Sequence, residues 1–400
     1  MGASAGIQET GEGAPAFAVP RSTTDVLSAP ALSRPSHLAY LDGLRGAAAS
    51  FVVVHHAFQI SQYRGLLTGW WELLLRPLRL GHFAVSLFIV ISGFCLMLPV
   101  VRDRGQLRGG ALGFFGRRAR RILPPYYCAL GLSALVGGGL VPSTGDPALL
   151  PVFEGPISAA SWLTHVLLIH NWFPELIYGI NVVFWSVAVE WQIYFLFPLL
   201  LMAWRRFGAL PTTLALNALT FPGAFLLRSS RWDGLHLHYL GLFALGMFAA
   251  ELAQSQSAGL TWWRNRIPWG LVAAALAMVV LGVGVCMEYA PLRACDVLVG
   301  VASMAVLVRP FGAPTGALAR ALSWRPLVAI GDFAYGLYLV HLPIMLWLVH
   351  SQVVVLSTDV NRTFLRLVMA LPAVLLGSYL FHLVCERPFI ASRSRPSMVR

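Results

Sequence analysis

Long runs of Leu, Val, Ala, Ile and Phe alternate along the chain with short stretches that hold nearly all of its charge. Several runs reach about 20 residues with hardly a charged side chain, the length an α-helix needs to cross the hydrocarbon layer of a bilayer. The pattern predicts spans near residues 44–60, 80–101, 124–141, 184–204, 209–227, 235–253, 268–287, 295–309, 327–350 and 363–384. A further apolar stretch, Trp162–His170, is too short to cross and reads as interfacial or re-entrant. Residues 1–37, rich in Ala, Pro, Ser, Thr and Gly without an apolar run, read as a flexible tail and not as a signal peptide. Residues 38–390 then form one membrane domain and 391–400 a short cytoplasmic tail. The expected fold is an all-α integral membrane bundle of about ten transmembrane helices.

The polar intervals test that count. With a cytoplasmic N-terminus, the interval after the second span holds Arg102, Arg104, Arg108, Arg117, Arg118, Arg120 and Arg121 on the cytoplasmic side. The same alternation puts Arg205 and Arg206, Arg264 and Arg266, Arg309, Arg320 and Arg325 inside, together with the arginines after residue 386. With Arg21, Arg34 and Arg45, 21 of the 29 arginines fall inside, the bias expected of cytoplasmic loops, which favours ten spans with both termini cytoplasmic. Counting Trp162–His170 as another span would throw Arg205 and Arg206 outside.

Composition removes the water-soluble alternatives. The chain is 57% hydrophobic and only 12% charged, about half the charged content of a soluble domain, too little to cover a globule in water. Its net charge of +12 comes entirely from arginine, with no lysine, a bias expected of a GC-rich genome; the expected location is a bacterial inner (plasma) membrane. No soluble basic domain exists to bind nucleic acid. The five cysteines, Cys95, Cys128, Cys286, Cys295 and Cys385, are scattered through apolar segments without CxxC spacing. They point to neither a disulfide framework nor a metal site.

Chemistry must therefore come from polar residues within or beside the helices. Arg45 and His56 are 11 residues apart, three turns plus about 20°, so they share one helix face and stand roughly 16 Å apart along the axis. Arg45 then lies near the cytoplasmic surface and His56 near mid-membrane, while the adjacent His55 points about 100° away. A mid-membrane histidine is costly unless it faces the bundle interior. It suggests a functional group, or a helix-to-helix hydrogen bond.

The densest positive cluster runs through Arg117, Arg118, Arg120 and Arg121, with Arg118 and Arg121 on one face if helical. Paired guanidiniums hold phosphates through bidentate bonds; such a loop can equally set topology or meet anionic lipid. Glu190 lies inside the fourth apolar run, one turn from Ser186, where it must be protonated or paired, for structure or for catalysis. Tyr338 and His341, at i and i+3, can line one cavity.

Four segments together resemble the acyltransferase-3 family of integral membrane O-acyltransferases: Leu41–His56, Arg117–Tyr126, Trp185–Glu190 and Ala334–His341. Val85–Phe94 and the ending Glu386-Arg387-Pro388-Phe389 also fit, so the similarity covers nearly the whole chain past residue 38. Departures are His55, where the family often has tyrosine, and Ala334, where serine is frequent. The resemblance implies transfer of an acyl group, commonly acetyl, from acyl-CoA to a hydroxyl of a sugar, a lipid-linked glycan or a macrolide-like metabolite. Acyl-CoA would be a donor substrate, with acetyl-CoA the expected form and no permanently bound cofactor. By the same resemblance, His56 is the catalytic base, Arg45, Arg118 and Arg121 bind the donor, and Glu190 and His341 border the reaction cavity. The rival reading, a proton-coupled secondary transporter with His and Glu as relay groups, lacks the paired halves and matching broken spans of such proteins.

Overall fold

The computed structural model describes residues 36–62, 69–137, 157–286, 292–313 and 315–390. Most of the two expected tails, the ends of the expected spans 124–141 and 268–287, and the side chain of Cys286 lie outside the described residues. Among the described residues the chain is all helix with no strand.

The first helix, α1 (Ser36–Gln62), is followed by the short α2 (Trp70–Leu75), a 3₁₀ turn at Arg76–Gly81, and α3 (His82–Arg102). Next come α4 (Gly110–Gly137), the short α5 (Ala159–Val166), α6 (Phe184–Phe207), α7 (Ala209–Leu226) and α8 (His238–Gln254). The chain continues through α9 (Ala258–Arg266), α10 (Trp269–Cys286), α11 (Leu292–Gly312) and α12 (Ala317–Leu322). It ends with α13 (Arg325–Asp332), α14 (Ala334–His350), α15 (Val360–Met369), α16 (Leu371–Phe381), a π-helical turn at His382–Glu386 and α17 (Arg387–Ile390).

Among the described residues, six helices are long and apolar enough to cross a membrane, and up to eight if each of two bent pairs counts as one span. The two expected spans outside that set fall in α1 and α4. Asp42, Arg45, His55 and His56 dilute the apolar run of α1, and four arginines dilute that of α4. The expected span 327–350 is not one rod: α13 and α14 meet at 77° at Phe333. The expected span 363–384 is also interrupted, because Pro372 lacks the N–H that would continue α15 and instead starts α16. Trp162–His170 holds only the last five residues of α5 and the first of a 3₁₀ turn at His170–Trp172, in keeping with a stretch too short to cross.

The bundle has a centre and a rim. In their most apolar windows α3 is 67% and α8 72% buried, against 22% for α7 and 17% for α16. α3 and α8 pack backbone to backbone because Gly93 faces the Phe243 carbonyl and Gly246 faces that of Val90, leaving no room for a Cβ at either. Without a hydrophobic force between helices in lipid, such small-residue contacts are what allow van der Waals packing. The glycines of Leu41–Gly46 serve a similar purpose. Gly46 lies on the backbone of α13 and Gly331 on that of Asp42, so α13 is clamped beside Arg45 and the bend at Phe333 delivers α14 into the interior.

Candidate active site

That arrangement borders a half-open cavity of about 690 Å³. Its polar lining includes Arg45 from α1, Arg118 and Arg121 from α4, Glu190 and Tyr194 from α6, and Glu386 and Arg387 from the C-terminal turn. Arg45 is fixed from two sides: one guanidinium nitrogen donates to Asp42 Oδ1 at 3.0 Å, the other to Cys95 Sγ at 3.0 Å. Tyr194, one turn beyond Glu190, donates its hydroxyl to the Glu190 carboxylate at 2.5 Å and shares a 2.9 Å hydrogen bond with Ser92. A carboxylate that accepts a phenol within a cluster of guanidiniums has the partner its depth demands.

Glu386 ties the end of the chain to this wall. Its Oε2 accepts from the Gly336 backbone N–H at 3.1 Å and lies 2.8 Å from His382 Nδ1. Gly336 is in the first turn of α14, whose backbone N–H groups have no intrahelical acceptor, so the carboxylate caps the helix as well as orienting the turn that carries Arg387.

The histidines form a second group. His56 is half-buried and His341 fully buried, and their rings are 4.9 Å apart. His341 Nδ1 lies 2.8 Å from the Tyr338 carbonyl oxygen and 3.0 Å from that of Leu337. Carbonyls only accept, so that nitrogen carries the proton and Nε2 keeps a lone pair. His341 Nε2 is 3.1 Å from His56 Nδ1, which is also 2.9 Å from the Val52 carbonyl oxygen. Both neighbours of His56 Nδ1 are therefore acceptors, the proton is assigned to Nδ1, and His56 Nε2 is left as a lone-pair nitrogen.

His55 is buried on a different face, with Nδ1 2.6 Å from the Leu78 carbonyl oxygen and its ring packed on Gly81, where a Cβ would overlap it. Another histidine pair, His165 and His170, stacks at 3.9 Å in the segment that does not cross. Burial pushes His165 down to about 4 and His170, which also faces His165, down to about 3. Both are neutral at physiological pH and pack as rings.

The structure thus brings Arg45, Arg118, Arg121 and Glu190 to one cavity and His56 and His341 to each other. The two groups meet at Tyr338, which lines the cavity and lies 6.2 Å, ring to ring, from His341. Ser186 bonds to Tyr338 at 2.6 Å, not to Glu190. Both hydroxyls can donate to the Val183 carbonyl, Ser186 at 3.1 Å and Tyr338 at 3.2 Å. Sequence reading missed Asp42, Cys95 and Tyr194. Tyr194 and Asp42 carried a signal, their spacings of i+4 from Glu190 and i−3 from Arg45, and Cys95 carried none.

A family model described as an acyltransferase domain matches residues 38–383. Acyltransferase MdmB of Streptomyces mycarofaciens is 31% identical over 170 residues, which cover 42% of this chain and 40% of that protein. A putative peptidoglycan O-acetyltransferase, YrhL of Bacillus subtilis, is 26% identical over 387 residues, covering 87% of this chain and 54% of the relative. Nodulation protein 10 of Rhizobium leguminosarum bv. viciae is 25% identical over 332 residues, covering 77% and 83%. The chain thus spans about half, or less, of the length of the first two relatives. No solved structure matches the chain.

Proposed function

The chain belongs to the acyltransferase domain family that its residues 38–383 match, and from that membership we propose that it is a membrane-embedded O-acyltransferase using acyl-CoA. The observation that carries the reading is the junction at Tyr338: an arginine-rich cavity on one side, and on the other a histidine whose free lone pair is fixed by its partners. Arg45, Arg118 and Arg121 hold the phosphates of the donor through charge-assisted bonds, and Glu190 with Tyr194 offsets and orders their charge. The pantetheine arm extends past Tyr338 toward His56.

There His56 Nε2 takes the proton of the acceptor hydroxyl as its oxygen attacks the thioester carbonyl. The C–O bond forms, the carbonyl π electrons move to oxygen, and collapse expels the thiolate, which recovers the proton from His56. His341 acts through His56, accepting its Nδ1–H and so holding the ring in the basic tautomer. Tyr338 supplies the oxyanion's hydrogen bond, because Ser186 can satisfy the Val183 carbonyl in its place. Exclusion of bulk water protects the thioester from hydrolysis.

In this reading the bundle has ten spans with both termini in the cytoplasm of a bacterial inner membrane. Cytosolic acyl-CoA, acetyl-CoA first, reaches the arginines from that side. The acceptor is a hydroxyl on a carbohydrate or on a secondary metabolite. The relative named as a putative peptidoglycan O-acetyltransferase favours the first class, and the family resemblance keeps a macrolide-like metabolite as the second. The test is incubation of membranes containing the protein with labelled acetyl-CoA and glycan, lipid and metabolite extracts in parallel. Label on a hydroxyl of one extract is expected. Absence of both acetyl-CoA binding and transfer would overturn the reading and bring the transporter forward.

A further inference from the structure

Away from this site, three residues that no part of the proposed reaction uses converge near the starts of three helices. His82 opens α3, His238 opens α8, and Asp296 lies in the first turns of α11. Asp296 and His238 have no exposure at all, and His82 is 22% exposed. His82 Nε2 stands 2.9 Å and His238 Nε2 3.1 Å from the same carboxylate oxygen, Asp296 Oδ2, and the three ligand atoms lie within 4.8 Å of one another. The other carboxylate oxygen, Oδ1, accepts a 2.5 Å hydrogen bond from Ser86, which turns Oδ2 toward the two imidazoles.

A buried Asp–His ion pair would explain His82, which makes a hydrogen bond to the carboxylate. It does not explain His238. That ring is fully buried, with aromatic rings of Phe221 and Tyr239 beside it, and neither of its nitrogens is in line for a hydrogen bond even though Nε2 is 3.1 Å from the carboxylate. A buried imidazole left so is costly, and its Nε2 stands beside the carboxylate oxygen without a hydrogen bond in line. Ligand atoms around a tetrahedral zinc, with bonds of ~2.0–2.1 Å, sit roughly 3.3 Å apart. The two nitrogen-to-carboxylate spacings, 2.9 and 3.1 Å, are close to that. The carboxylate held by a serine is the outer support that metal ligands commonly have.

We propose that His82, His238 and Asp296 form a binding site for a divalent first-row transition metal, zinc by preference, that clasps α3, α8 and α11 together. Two imidazoles with one carboxylate suit zinc and its neighbours and not calcium or magnesium, which take oxygen ligands. The ion's fourth position is open, to water or to Ser86. His82, His238 and Asp296 are far apart in sequence and show no ligand spacing, so composition and motif reading find no metal there.

The test uses the full chain in detergent, purified through an affinity tag without histidine and equilibrated with zinc before removal of free ion. Elemental analysis is expected to find one zinc per chain, lost from Asp296→Asn and His238→Ala. Chelator-stripped wild type titrated with Co²⁺ is expected to develop the visible d–d absorption of a four- or five-coordinate site, with affinity falling at least tenfold in either variant. If the variants do not fold, the wild-type Co²⁺ titration alone decides. No zinc above the protein-free blank and no Co²⁺ band overturn the proposal and leave a hydrogen-bonded Asp–His cluster; zinc retained by both variants places the site elsewhere and overturns it equally. Neither readout depends on transferase activity.

Discussion

Two histidine clusters lie inside one bundle and are built in opposite ways. In the pair His56–His341 there is no carboxylate; backbone carbonyls fix the proton on His341 Nδ1, and that ring fixes the proton on His56 Nδ1. In the cluster His82–His238–Asp296 a buried carboxylate sits at the centre and both imidazoles turn one nitrogen to it. The first arrangement leaves a neutral ring with one lone pair on a half-buried side chain, which is what a general base requires. The second gathers two imidazole nitrogens within 3.1 Å of one carboxylate oxygen, the donor set that the proposed cation would take. Within a membrane, then, a histidine's chemistry follows from what holds its other nitrogen, more than from its depth.

The contrast can be broken most severely at His56. Replacing it with Ala should lower kcat by roughly 10²–10⁴-fold, the usual contribution of a positioned base, with donor binding intact in an equilibrium filtration assay. Retained kcat would move the base elsewhere in the bundle. Arg118→Ala should next weaken the donor by roughly 10–100-fold in KM, since a hydrogen bond to a charged group contributes about 1.5–3 kcal/mol, with kcat little changed. A loss confined to kcat would mean that the arginine contacts the reacting atoms instead of the phosphates.

His341→Phe removes only the acceptor that helps hold the His56 tautomer, and the Val52 carbonyl remains. About a tenfold fall in kcat is expected, from the loss of one neutral hydrogen bond. His341→Asn, whose side-chain oxygen can accept, should recover most of it and restore the wild-type pH–rate profile; equal loss in both would reduce His341 to packing. The smallest effect belongs to His55→Gln. Its ring bonds to the Leu78 carbonyl and packs on Gly81, so kcat should stay within about twofold while thermal stability falls. A kcat collapse there would exchange the roles of the adjacent histidines.

Much of this was legible before any coordinates. The common face of Arg45 and His56 follows from helical geometry, and the pairing demanded of Glu190 follows from its depth. The partners were less legible. Tyr194 was within reach as the i+4 neighbour of Glu190, whereas His341 lies 285 residues from His56, and His82 214 from Asp296. Nothing in a single sequence states which helices touch. The restart at Pro372 was hidden by hydrophobicity, which continues across it, and the bend at Phe333 by the apolar runs on either side of Gly331 and Asp332, so that each reads as one span. Charge had the converse effect in α1 and α4. The residues that make them chemically interesting are the same ones that lower their apolarity below that of an ordinary span.

The role of His56 as the base is tested most directly by label transfer from acetyl-CoA by membranes containing wild type or His56→Ala, using the extract that accepts label. The expected result is a fall of roughly 10²–10⁴-fold in transfer with acetyl-CoA still bound by the variant. Transfer at the wild-type rate by a folded, donor-binding His56→Ala protein would contradict the account.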